Sequence, residues 1–87
     1  TLGGAGACLV TRAGAWAATP PPVTVLSTVG AGDSSLAGYL MARIAGDEPA
    51  ECLRRAVAYG SAAASLPGTG IPSPSDIDLE HTHVFPV

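Results

Sequence analysis

The stretch that most constrains this chain is Gly30-Ala31-Gly32-Asp33, a glycine turn set between two runs of different periodicity. Before it, Val23 to Leu26 alternates and is rich in Cβ-branched residues, which predicts a strand. After it, Leu36, Tyr39, Leu40 and Ile44 fall at i, i+3, i+4 and i+8, one stripe of an α-helix expected to reach about Ala45. Glycine at two positions of the turn lets the backbone approach a ligand without Cβ interference. The amides of residues 31 to 33, backed by the helix dipole, then converge on one spot suited to an anion, most often phosphate. Asp33 is unexpected there, because its carboxylate repels what the loop attracts. Read from the residues alone it is an N-cap, which aspartate does well, or a group with a chemical role.

The rest of the chain reads as α/β. Ala7 to Thr11 and Ala15 to Thr19, separated by Arg12-Ala13-Gly14, predict a β-hairpin that Pro20-Pro21-Pro22 terminates. Gly46 is a helix stop, and Asp47 with Pro49 opens a second helix to about Ser65, with Leu53, Ala56, Val57, Tyr59 and Gly60 on its packed side. Glu51 and Arg55 form an i, i+4 pair on its outer side. Gly60-Ser61-Ala62-Ala63-Ala64-Ser65 has almost no side-chain bulk, so a second backbone or a flat ring can come close. Beyond the break at Pro67-Gly68-Thr69-Gly70, Pro72 to Ser75 reads as a turn or cap, Asp76 to Glu80 as a short helix and Val84-Phe85 as an edge strand.

Composition narrows the function. With 87 residues this is one small domain at most, yet 47% of the residues are hydrophobic and only 13% charged. That content resembles the interior of something larger, and the start at Thr1 in mid-pattern reads as a piece of a longer protein. The net charge of −3 and the scatter of four arginines give no basic stripe, which argues against a nucleic-acid surface. The absence of lysine excludes a Walker-type loop and Schiff-base chemistry in this segment. Cys8 and Cys52 are solitary, in apolar surroundings and without a signal-peptide pattern, which suits a reducing cytoplasm; neither has metal-ligand spacing. No apolar run approaches the ~18 residues of a membrane span.

Competing phosphate signatures fit poorly. In a dinucleotide fingerprint Ser35 stands where the third glycine belongs, and no acidic residue follows on a second strand. Gly4-Ala5-Gly6 leads into a strand rather than a helix, and a G-x-S-x-G elbow is absent.

Thr28-Val29-Gly30-Ala31-Gly32-Asp33-Ser34, running into Leu36-Ala37-Gly38-Tyr39-Leu40, resembles the C-terminal signature of the ribokinase-like, or PfkB, carbohydrate kinases. The likeness runs in register over nearly the whole chain. Thr1-Leu2-Gly3-Gly4-Ala5-Gly6-Ala7 resembles the strand-and-glycine turn that contacts nucleotide phosphates, and the helix from Ala58 to Ser65 resembles the segment walling the adenine pocket. Ser27-Thr28-Val29-Gly30 and Leu66-Pro67-Gly68-Thr69-Gly70 are similar to the 1-phosphofructokinase branch.

The resemblance implies that residues 1–87 are the C-terminal nucleotide-binding segment of a ribokinase-like three-layer domain whose substrate-binding part lies upstream. It implies ATP and Mg²⁺, with phosphoryl transfer to a sugar phosphate, foremost fructose 1-phosphate to fructose 1,6-bisphosphate. Tagatose 6-phosphate, fructose 6-phosphate and ribose are alternative acceptors, and a non-catalytic nucleotide-binding fragment is the alternative from another class. Asp33 would accept the proton of the sugar hydroxyl, and Gly30, Ala31 and Gly32 would form the anion hole. Thr1, Gly3, Gly4, Gly6, Ala58, Ser61 and Ala62 would bind the nucleotide. No metal ligand is evident in the segment, the segment alone is expected to be inactive, and a homodimer of the full-length protein is compatible with the family. Ser27 stands where many relatives carry an aspartate that helps to bind a monovalent cation, and Val29 where a hydroxyl is frequent, so the resemblance leaves potassium activation open.

The other polar candidates read as structure. His81 and His83 alternate in a polar tail as solvated histidines, Trp16 is a packing residue of the hairpin, and Arg54-Arg55 is a solvated helix face. Asp76, Asp78 and Glu80 form an exposed acidic edge without the spacing of a calcium loop.

Overall fold

In a computed structural model, which describes residues 6–68 and 71–87, the hairpin consists of β1 (Ala7–Thr11) and β2 (Gly14–Thr19). The strands pair antiparallel with Cys8 opposite Ala17 and Leu9 opposite Trp16, so that Ala7, Leu9, Trp16 and Ala18 share one face. A third strand, β3 (His83–Pro86), adds to the other edge of β2 and places Val84 opposite Ala18. The expected edge strand at Val84-Phe85 is therefore present.

Two helices complete the unit: α1 (Ala31–Ile44) and α2 (Pro49–Ala64), joined by a tight turn. Gly46, at φ 86°, takes the left-handed position that a side chain would disfavour. Its N–H donates to Arg43 O at 3.1 Å and that of Asp47 to Ala42 O at 3.0 Å, the pair of bonds that closes a helix in a Schellman motif. The next helix begins at once, with Glu48 at the cap and Pro49 in the first turn, where its missing N–H costs nothing.

The helix α2 lies between the sheet and α1 and packs against both. On the sheet side Leu53 and Val57 meet Ala7 and Ala18, with Leu9, Trp16 and Val84 packed around them. Burying an aliphatic side chain of that size contributes about 1.5–3 kcal/mol. On the other side α1 buries Gly38 and Ala42, not its large residues. Leu36, Leu40 and Ile44 stay 56%, 44% and 86% exposed, so the apolar stripe located the helix but not the face it sets against α2.

The structure corrects four sequence expectations. Val23 to Leu26 joins no ladder among the described residues; the segment is held by Leu26 and Ser27, whose N–H groups both donate to Ala64 O at the end of α2, at 2.8 and 3.2 Å. The three prolines before it remove the donors with which a strand would begin. Asp76 to Glu80 is not an α-helix; a 3₁₀ segment, Pro74–Asp76, leads into it, braced by the Ser73 N–H on Asp76 Oδ2 at 2.8 Å, and a turn at Glu80-His81 follows, closed by the Thr82 N–H on Leu79 O at 3.3 Å. Cys8 is exposed, because strand alternation turns it away from α2, whereas Cys52 is buried and burial raises its thiol pKa. Arg54 is not free in solvent but fixes the C-terminal segment, donating to Leu79 O from Nε and Nη2.

Candidate functional site

The glycine turn is built by three local bonds. The Val29 N–H donates to Ser27 Oγ at 3.2 Å, the Ala31 N–H to Thr28 O at 3.2 Å, and the Ser34 N–H to Gly30 O at 3.0 Å, which is the first bond of α1. Gly30 is the cap residue, with φ 82°, a backbone position open to glycine and strained for side chains. The amides of Gly32 and Asp33 accordingly have no acceptor among the described residues. Ala31, by contrast, spends its N–H within the turn. An anion at this end of α1 would meet the amides of residues 32 and 33, with Gly30 and Ala31 shaping the backbone that presents them.

Asp33 is the third residue of α1, exposed, and its carboxylate has no hydrogen-bond partner among the described residues. No side chain caps the helix, so the capping role that the residue type allowed is not the one it fills. What remains is a carboxylate projecting from the amide-bearing turn of a helix.

Beside that turn lies an open cavity of about 690 Å³, within the range of small-molecule sites. Ala31 and Gly32 form one end of it. Its walls are Gly60, Ser61 and Ala64 of α2 on one side, and Pro20 to Val23 with Val25 on another. The lining is mostly apolar, with hydroxyls from Thr19, Thr28, Ser35 and Ser61. A planar, weakly polar group fits between such walls, with an anion at the amide end.

Of the residues expected to bind nucleotide, Gly6 and Ser61 line this cavity. Gly6 is there because it presses on β2: a Cβ would meet the Ala18 carbonyl oxygen. Ala58 and Ala62 do not line it; they are 1% and 4% exposed and packed inside. Helical geometry explains the difference, since Val57, Gly60, Ser61 and Ala64 share a face at i, i+3, i+4 and i+7, and positions 58 and 62 are rotated off it. Thr1, Gly3 and Gly4 lie outside the described residues. The proline run and Val23 and Val25, in sequence a strand boundary and a strand, form a wall of the cavity in the structure. Three prolines followed by an alternating run signalled an extended segment, but nothing local says what it faces.

Among the described residues no group of three or more His, Cys, Asp or Glu side chains is placed to hold a metal ion. Away from the cavity, His81 Nδ1 lies 2.9 Å from Asp78 Oδ2. That hydrogen bond, and then the charge of the aspartate, raises the imidazole pKa, while Asp78 is lowered by the same bond. No helix of the described residues is long and apolar enough to cross a membrane.

Known proteins resemble this arrangement. The model of the pfkB family carbohydrate kinases matches residues 1–76. A 1-phosphofructokinase of Haloferax volcanii is 39% identical over 84 residues, which are 97% of this chain and 28% of that protein. One from Escherichia coli K12 is 41% identical over 71 residues, 82% of this chain and 23% of that protein. The crystal structure of a Staphylococcus aureus protein assigned as a phosphofructokinase superposes with a TM-score of 0.92 at 27% identity, covering 100% of this chain and 28% of its own. The chain spans about a quarter of the length of the curated relatives it matches.

Proposed function

The chain belongs to the pfkB family of carbohydrate kinases, and from that premise we propose that it forms the nucleotide side of an ATP-dependent sugar kinase acting on fructose 1-phosphate. The observation that carries the proposal is the meeting of two free amides, Gly32 and Asp33, with an apolar-walled cavity and an unpartnered carboxylate on one turn of helix. The base of ATP fits between α2 and the proline wall, and its terminal phosphates reach the amino end of α1. The sugar hydroxyl oxygen attacks the γ-phosphorus, the bond to the β–γ bridging oxygen breaks, and the hydroxyl proton passes to Asp33. Because such a transition state is loose, placing the groups and stabilising charge supply most of the catalysis. An amide pair beside a base suits both needs, since the amides face the transferred group and the carboxylate faces the incoming oxygen.

The family implies Mg²⁺, and among the described residues no group of three or more His, Cys, Asp or Glu side chains is placed to hold it. The ion would come with the nucleotide phosphates and would neutralise part of their charge. The choice of fructose 1-phosphate is supported by the relatives named 1-phosphofructokinase.

The exposed Leu36, Leu40 and Ile44 mark a face that further protein would cover, and in a second reading the chain binds nucleotide and packs there without transferring phosphate. One experiment separates the two. The product of the complete reading frame is incubated with ATP and, in turn, fructose 1-phosphate, tagatose 6-phosphate, fructose 6-phosphate and ribose. Transfer with fructose 1-phosphate as preferred acceptor is expected. Nucleotide binding without transfer to any sugar would establish the second reading. The 87 residues alone offer a base and an amide pair without an acceptor side, so they should bind ATP weakly and turn nothing over.

A further inference from the structure

We infer that Gly60, through its contact with Ser35, is a positioning residue that sets where the first turn of α1 stands over the cavity. The inference rests on the phosphoryl-transfer reading of this site.

A Cβ built on Gly60 falls on Ser35 Oγ, and it would also lie 3.5 Å from Ser35 Cβ and 3.5 Å from Ala31 O. The bare Cα of Gly60 is thus a notch in α2, filled by the hydroxyl of α1 and walled by the first turn of that helix. Gly60, Ser35, Ala31 and Gly32 all border the cavity, so the notch lies at its amide end. Gly32 differs in kind, because a Cβ there would meet nothing within 4 Å.

A methyl group at position 60 forces one of two changes. The first turn of α1 can back away from α2, carrying the Gly32 and Asp33 amides and the Asp33 carboxylate with it. Otherwise the Ser35 hydroxyl must rotate out of the notch. A serine hydroxyl turned back onto the carbonyl four residues earlier, here that of Ala31, bends the turn it sits on. Backing away displaces the groups that hold the phosphates outright, whereas rotation of the hydroxyl reaches them only through the bent turn; neither touches the chemistry directly. A displacement of about 1 Å in such a group can cost roughly 10²-fold in rate.

The test is a double-mutant cycle on the product of the complete reading frame, with Gly60→Ala, Ser35→Ala and both together. Three readouts are needed: ATP affinity, kcat with the preferred sugar, and amide hydrogen exchange of residues 31–35. Gly60→Ala in the native background is expected to weaken ATP binding about tenfold and lower kcat by up to roughly 10²-fold, with faster exchange in the first turn of α1. Measured in the Ser35→Ala background, the same change should cost less than about threefold, since the oxygen it collides with is gone. A silent Gly60→Ala would overturn the inference. So would a loss of equal size in both backgrounds, which would mean that the methyl group obstructs the ligand itself. Should Gly60→Ala fail to fold, a folded double variant supports the inference and an unfolded one overturns it. If the native protein transfers no phosphate at all, the kinase reading fails separately. Exchange that rises in Gly60→Ala and returns in the double variant would then support the contact, and unchanged exchange would refute it.

Discussion

Arg54 and Leu79, twenty-five residues apart, are joined by two hydrogen bonds: the guanidinium Nε and Nη2 of Arg54 donate to the Leu79 carbonyl at 3.2 and 2.8 Å. The remaining Nη1 reaches Glu51 Oε1 at 2.9 Å, so one planar group ties α2 to the segment that leads into β3. Below that junction Thr82 is 2% exposed, its hydroxyl donating to Asp78 O at 2.6 Å. Replacing Arg54 by Met keeps the aliphatic stem and removes the fork. The expected loss is about 1–2 kcal/mol in chemical denaturation, at the low end for bonds to a charged group because the side chain is partly exposed. Amide exchange should rise selectively at residues 80–85, since β3 loses its tether before β1 and β2 do.

Gly38 should tolerate no side chain. A Cβ there would stand 2.8 Å from Arg55 O and 2.8 Å from Cδ1 of the Tyr59 ring, and backbone does not give way as a flexible side chain does. Alanine is the better helix former, so propensity alone would predict stabilisation. Overpacking should outweigh it, and Gly38→Ala is expected to destabilise by about 1–3 kcal/mol. A thermal melt that rose instead would mean that α1 and α2 are less tightly set than the structure has them.

Gly32→Ala is expected to separate folding from binding. The new Cβ meets no protein atom, so the fold should be unharmed or up to about 1 kcal/mol more stable. The space it enters borders the cavity beside the free amides. ATP affinity should therefore fall about tenfold or more, for the loss of close backbone approach to phosphate. Calorimetric titration beside a melting curve reads both effects.

For Asp33→Asn the expectation is the reverse pattern. The residue does not cap α1, so the change removes only a favourable charge near the helix start, worth about 0.3–1 kcal/mol. Loss of the proton acceptor should lower kcat by about 10²–10⁴-fold. ATP binding should stay level or tighten slightly, because a charge that repels the phosphates is gone. Near-normal turnover in this variant would remove Asp33 from the mechanism.

The His81–Asp78 pair gives a pH dependence away from the site. Hydrogen bonding to Asp78 raises the His81 pKa above its ordinary 6.5, so its stabilising contribution is complete below that value and disappears as pH rises through the raised one. Asp78 is lowered from 3.8 by the same bond, so its contribution is present above that value and is lost as pH falls through the lowered one. An NMR titration of His81 should give a midpoint above 6.5, and Asp78→Asn should bring it back.

What the chain determined by itself was local. Gly46 and Pro49 stop one helix and start the next because backbone freedom and a missing N–H act within a few residues. The hairpin followed from two short apolar runs around Arg12-Ala13-Gly14, and the turn at Gly30 from a glycine that can adopt φ 82°. Tertiary structure alone decided which faces meet. The stripe Leu36-Leu40-Ile44 was visible in sequence, yet α1 lies on α2 through Gly38 and Ala42, where the absence of bulk permits close approach. Likewise Val23 to Leu26 has the composition of a strand, but strand pairing needs a partner, and the backbone it found was the end of α2 at Ala64. Whether the Ala31 amide is free depended on its bond to Thr28, and whether Gly60 is a gap or a socket depended on Ser35, twenty-five residues earlier. Local propensity is set by bonds within a turn of chain, whereas the cavity is bounded by elements distant in sequence, and only their packing brings them together.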